Sequence, residues 1–260
     1  MKKVISTSLL LALILTDFTF NPSPSLADES VNNISSASFE ENVTLNFPEI
    51  NEKTLINSTD YEIRNNIDYY LNEYKNLQSM SIEELNEYIS SIKDEQDGDS
   101  LYRAQSVPPD VQLRIAWLAA AEMAKKAGYT AAGTIVQYSV LGVNYSESNG
   151  FIADKIKRTT IFRTLLYHVK QTKKPVHRSH IFTKSDSSDL FYTFHEATFT
   201  INKNINSNNY YTHLYDYFDF ALNKVKYDDL FTTLVNDWAW LNQNAHILKN
   251  INIDIYFLTI

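Results

Sequence analysis

The hydrophobic period of this chain changes from 3.6 to 2 between residues 171 and 179, and that change limits the folds open to it. Up to about residue 171, apolar residues recur every three to four positions, which is the spacing of one helix face. From residue 179 onward they mostly alternate, as in a strand with one buried side. Residues 110–126 read as a helix capped by Asp110 and ended by Gly128, with Ile115, Leu118 and Ala119 on its apolar face and Trp117 beside it. Residues 130–141 read as a second helix. Residues 151–171, capped by Asn149, read as a third, with Ile152, Ile156, Phe162, Leu166 and Val169 on one side. Residues 179–184 are a short strand, 189–203 and 210–220 a hairpin around the turn at 204–209, and 227–244 a helix. Ile251, Ile253, Ile255 and Phe257 alternate with polar residues and make a final strand. The fold expected is α+β: a helical N-terminal region, then three helices packed on a small antiparallel sheet.

The N-terminus reads as a leader. Met1-Lys2-Lys3 is followed by an apolar run over 4–15, and Ser25-Leu26-Ala27 places small residues at the −3 and −1 positions. That is the order of a secretory signal peptide, with cleavage expected after Ala27. An uncleaved anchor is the alternative, but the run falls short of the ~20 apolar residues of a membrane span. The chain has no Cys, so it has no disulfide framework and no thiol metal or redox site. An exported protein without thiols has nothing to mispair.

Charge is divided unevenly. The net charge is −8. Residues 28–110 hold 18 acids against 5 bases, and residues 111–260 hold 12 acids against 16 bases. Within the acidic part, 28–59 has little periodicity and reads as disordered. Residues 60–109 read as an acidic helical hairpin and linker. Asp60 caps a helix to about Leu77, Ser81 and Glu84 form a capping box, and two apolar stripes (Ile63, Ile67, Tyr70, Leu71, Tyr74 and Ile82, Leu85, Tyr88, Ile89, Ile92) leave the outer faces acidic. Residues 95–100 read as a linker, and Pro108-Pro109 marks the boundary of an α+β domain over 110–260.

No strong catalytic signature is present, and five Gly in the whole chain argue against phosphate-cradling loops. If the hairpin pairs residues whose numbers sum to about 411, His195 lies opposite Asp216. A carboxylate beside an imidazole fixes its tautomer and raises its basicity, as a general base needs. The ordinary alternative is a buried polar pair that only sets register. Glu196, His213 and Asp219 fall on the other face and, with Asp216, form a candidate acid–base or hard-metal cluster; a solvated sheet face is the competing reading. His177 and His180, three apart, sit in an expected loop. No cofactor and no bound metal are called for by these spacings. The amides around Asp237, Asn242 and His246 suit capping better than catalysis.

The most extended charged feature is basic. Lys155, Lys157, Arg158, Arg163, Lys170, Lys173, Lys174 and Arg178 run without an intervening acid, much of the run on an amphipathic helix. Such a helix meets an anionic membrane or an anionic envelope polymer such as teichoic acid, or docks the acidic N-terminal part in cis; the plain reading is the solvated face of a core helix. Nucleic acid is not expected for an exported chain without aromatics interleaved among the cations.

Several segments carry a resemblance. Gly128-Tyr129 with Ala132, Gln137-Tyr138-Ser139-Val140, Tyr145, and Ile152-Ala153-Asp154-Lys155-Ile156-Lys157 form one block. Asp189-Leu190-Phe191-Tyr192 with His195, Tyr215-Asp216-Tyr217-Phe218-Asp219-Phe220, Asn244-Ala245 and the Ile-rich strand complete it. Over roughly the last 130–150 residues this is similar to a group of uncharacterised secreted proteins of Gram-positive bacteria. Comparable Tyr-Asp-Phe and Asn-Ala segments resemble C-terminal modules of some bacterial toxins. The group's Gly after Asn-Ala is replaced here by Ile247-Leu248-Lys249-Asn250. The resemblance implies a shared domain and no particular reaction. The Tyr-Asp pair is also similar to that of colicin-M-like lipid II hydrolases, but no Arg follows His195 and that activity is not carried over.

Three functional readings follow. The first is an exported, toxin-like or envelope-interacting protein whose acidic N-terminal region masks the basic helix, with an immunity protein as a further partner if it is a toxin. The second is a secreted hydrolase of envelope material using His195 with Asp216 or Asp219. The third is a passive extracellular binding module whose Tyr residues contact sugar or protein.

Overall fold

The computed structural model describes residues 48–97, 108–194, 196–205, 207–219, 241 and 245–260. The leader with its Ala27 cleavage site, residues 28–47 of the expected disordered segment, residues 98–107 with the end of the expected linker, His195, and the expected helix 227–244 apart from Leu241 lie outside the described residues.

Four helices open the described chain: α1 (Glu52–Leu55), α2 (Tyr61–Asn65), α3 (Ile67–Ser79) and α4 (Ile82–Asp97). Asp60 is the expected N-cap, its carboxylate accepting from the Glu62 N–H at 3.1 Å. The single helix expected from there is broken at Asn66, whose backbone leaves the helical region (φ −128°) and whose side chain donates back to the Glu62 carbonyl. Asn at that position offers the backbone an alternative to the next helical bond. The Ser81–Glu84 box forms in both directions: the Ser81 hydroxyl accepts from the Glu84 N–H at 3.2 Å, and the Glu84 carboxylate accepts from the Ser81 N–H at 2.6 Å. Ser81→Ala is therefore expected to cost about 1 kcal/mol, read as a lower urea midpoint with unchanged slope.

The next two helices, α5 (Pro109–Lys126) and α6 (Thr130–Val140), form the centre of the molecule. Pro109 takes the first helical position, so Asp110 lies in the first turn instead of capping it. Gly128, at φ +95°, reverses the chain between the two helices. Only one face of α5 was expected to be buried. Nearly every residue over 111–124 is buried, because α3 and α4 pack against it as well as α6. Its two charged members are answered locally. Arg114 meets Asp60 at 2.8 Å, and Glu122 accepts from Lys125 at 2.9 Å and Gln137 at 3.1 Å. One hydrophobic core runs from Ile50 to Phe257, within a compact unit spanning Thr44–Ile260.

A five-stranded sheet completes the α+β fold. Its strands are β1 (Tyr145–Ser148), β2 (Val176–His180), β3 (Ala197–Lys203), β4 (Tyr210–Phe218) and β5 (Ile251–Thr259), in the order β1-β5-β4-β3-β2. The sheet is mixed, not purely antiparallel as expected, because β1, unrecognised in the sequence, pairs parallel to β5. Three further expectations are corrected. Residues 151–171 are two helices, α7 (Phe151–Arg158) and α8 (Thr160–Thr172), split where Thr159 turns extended and caps α8 by accepting from the Phe162 N–H. Gly150, not Asn149, is the cap residue of α7; Glu147 supplies the acceptor for the Ala153 N–H at 2.6 Å. The start of the expected strand 189–203 is instead a short helix, α9 (Ser188–Thr193), capped by the Ser187 hydroxyl.

The β3–β4 register pairs Thr198 with Tyr215 and Phe199 with Leu214, so partner numbers sum to 413 and not 411. The slip is an even number, so the faces are preserved. Ala197, Phe199 and Ile201, with Thr212, Leu214, Ile253 and Ile255, are buried on the inner side, where Phe162 of α8 meets Phe199 and Phe257. The outer side carries Tyr211, His213, Tyr215, Tyr217, Asp254 and Tyr256, none of them buried.

Candidate functional site

The basic run divides by what each side chain touches. Lys155 is paired with Asp189 at 2.9 Å. Lys157 meets Asp154 at 3.0 Å and lies over the Phe257 ring. Lys170 donates to the Ile260 backbone oxygen at 2.7 Å and lies over Tyr210. These three are anchored within the fold. Arg158, Arg163, Lys173, Lys174 and Arg178 are exposed and make no ion pair among the described residues. α8 buries Phe162, Leu165 and Val169, which leaves Arg163 facing outward beside Tyr167, itself 64% exposed. Lys173 adopts a left-handed backbone (φ +59°) that ends α8 and turns the chain into β2 at the sheet edge. Arg178 pairs across from Phe199, which puts it on the helix-bearing side of the sheet. In chain order these exposed cations lie at the end of α7, on α8, just past its C-terminus and on β2.

Asp189 is the residue most displaced from its expected role. It is buried on α9 and accepts from the N–H groups of Ala131 at 3.0 Å and Ala132 at 2.9 Å, from the Thr130 hydroxyl at 3.3 Å, and from Lys155. It supplies the N-terminal acceptors that Tyr129, the residue in the cap position, does not provide.

Of the proposed His–Asp site, His195 lies outside the described residues, and the register carries 216 toward 197 when extended. Asp216 is buried on the inner face of β4 and Asp219 is exposed just beyond the strand. Burial pushes the Asp216 carboxyl up to about 7; the Tyr217 backbone N–H opposes this, while Asp219 and Glu196 add to it. Asp216 therefore exchanges its proton near neutrality, the property expected of an acid–base group and equally of a poorly solvated core carboxyl.

The other imidazoles take partners that the sequence spacing did not indicate. His213, on the outer face, is 2.7 Å from Asp254 of β5. His177 and His180 lie on strand β2 and not in a loop; an i,i+3 spacing on a strand sends them to opposite faces, one to the Thr200 hydroxyl at 2.9 Å and the other to Asp186 at 3.3 Å. They cannot share a metal in that arrangement. Among the described residues no group of three or more His, Asp or Glu could hold a metal ion, and no helix is long and apolar enough to cross a membrane. The signal for His213–Asp254 was present as two alternating strands, but their mutual register across 41 residues was not.

Comparison with models of known protein families, with curated proteins and with solved structures gives no match.

Proposed function

We propose that this is an exported protein that binds an anionic polymer of the cell envelope through the cationic surface of α7, α8 and β2. The observation that carries the reading is a set of five exposed cations, without an ion pair among the described residues, in a stretch, 155–185, that contains no acid. Cations on an ordinary solvated face are usually interspersed with acids; an unbalanced set raises the local concentration of a polyanion and holds it by many weak contacts. The leader-like N-terminus and the resemblance to secreted Gram-positive proteins point to the same compartment.

The test uses a soluble glycerol-phosphate polymer of the teichoic type. Each cation near such a surface contributes about 1 kcal/mol. Lys173→Glu, Lys174→Glu and Arg178→Glu together are expected to weaken binding about 100-fold, and binding of the native protein should decline steeply as salt rises. Retention of affinity in the triple variant would refute the reading. Tighter binding to vesicles of anionic lipid than to the polymer would redirect it to a membrane surface. The acidic helices α3 and α4 pack on α5, and Asp60 is committed to Arg114. Masking of the basic surface by the acidic region is tested in the same assay by removing residues 28–47; masking predicts a gain in affinity.

A further inference from the structure

The outer face of the sheet is a second surface with a different chemistry. No Lys or Arg projects from its positions on the five strands, and its one carboxylate, Asp254, is held by His213. Tyr211, Tyr215 and Tyr217 of β4 stand on it at 39%, 39% and 51% exposure. Tyr215 and, through Tyr256, Tyr211 are held in position. The Tyr215 hydroxyl donates to Asn252 at 3.2 Å, and the Tyr256 hydroxyl donates to Asp254 at 3.3 Å. Tyr256 stacks with His213 (4.4 Å, 11° between planes) and with Tyr211 (6.0 Å, 29°). From Tyr211 to Tyr217 the strand spans about 20 Å, long enough for several linked sugar rings.

The geometry points to this face as a binding platform for a neutral glycan strand of β-linked pyranose rings, laid along β4. Such rings carry their hydroxyls around the edge and present flat C–H faces, which settle on exposed aromatic rings. The edge hydroxyls meet the Thr and Asn side chains and the Asp254–His213 pair that flank the tyrosines. Charge selects the ligand class. The described strand positions of this face offer no cation to an anionic chain, whereas Arg178 lies on the helix-bearing side of the sheet. A single-stranded nucleic acid would stack equally well, but it needs cations tracking its phosphates, and none stands at the outward positions of the described strands. A ring held as Tyr215 is, by its hydroxyl on Asn252, loses little freedom on binding, unlike a tyrosine present only for strand propensity.

Isothermal titration of the purified protein with cellohexaose and with chitohexaose tests the platform. Saturable binding at micromolar to millimolar concentration is expected with at least one of them. Tyr215→Ala and Tyr217→Ala should each weaken it about tenfold, and Tyr217→Trp should preserve it. Both Ala substitutions are at exposed positions, and circular dichroism verifies that the variants fold. The Lys173→Glu, Lys174→Glu, Arg178→Glu protein should bind the hexasaccharide as the native protein does, so this inference and the polyanion reading fail independently. No heat with either sugar at millimolar concentration would overturn the inference, as would binding indifferent to both tyrosine substitutions. Tyrosine-dependent binding of oligo(dT) without sugar binding would also overturn it and assign the face to nucleic acid.

Discussion

Asp216→Asn is expected to flatten a loss of stability that burial of the Asp216 carboxyl should give the native protein between pH 5 and pH 8. The carboxyl lies on the inner face of β4, where burial raises its pKa to about 7, helped by Asp219 and Glu196 and opposed only by the Tyr217 backbone N–H. In the unfolded chain it titrates near 3.8. Between these values the folded state holds a proton that the unfolded state has released. Stability is therefore greatest below the unfolded value and falls as pH rises through the folded one. From pH 5 to pH 8 this amounts to about 2–3 kcal/mol. Asn keeps the shape and removes the charge, so the variant should match or slightly trail the native protein at pH 5 and exceed it at pH 8. Urea midpoints at the two pH values measure this; parallel curves would show that Asp216 is ionised at no cost in the fold. If the same group acts as an acid–base catalyst, the variant gains stability while any hydrolytic activity is lost.

Asp189→Ala is expected to do the opposite, lowering stability by about 3 kcal/mol at neutral pH. This carboxylate is also buried, but it is surrounded by two backbone N–H groups, a hydroxyl and an ammonium. Its removal orphans the start of α6 and leaves Lys155 without its anion. Lys155 is one-third exposed and recovers part of its loss from water. Asp189→Asn retains one acceptor and should lose about half as much. Faster hydrogen exchange at the Ala131 and Ala132 amides would place the damage at the α6 terminus; unchanged protection there would contradict this account. The pair shows that burial alone does not set the cost of a carboxylate; the donors around it do.

Much of the local structure was legible because its causes are local. The Ser81–Glu84 box, the Asp60 cap, the Gly128 stop and the alternating faces of β3, β4 and β5 each depend on a few adjacent residues. The breaks at Asn66 and Thr159 were missed because both residues also fit a helix, and the choice lies in side-chain bonds to the backbone. Residues 189–193 have the aromatic composition of a strand, but the helix is selected by what Asp189 reaches on α6. β1 is four residues long and had no pattern to show until β5 lay beside it.

The same division holds for the candidate surfaces. That the cations form an uninterrupted run and that the hairpin has one apolar face is legible without coordinates, because both are properties of order along the chain. Three-dimensional packing settles which cations have partners among the described residues. Lys155, Lys157 and Lys170 are engaged by Asp189, Asp154 and the end of β5, and Arg158, Arg163, Lys173, Lys174 and Arg178 are not. It also joined His213 to Asp254 and left the tyrosines of β4 on an open face. Register between strands distant in sequence is fixed by the packing of the whole core, and no local spacing encodes it.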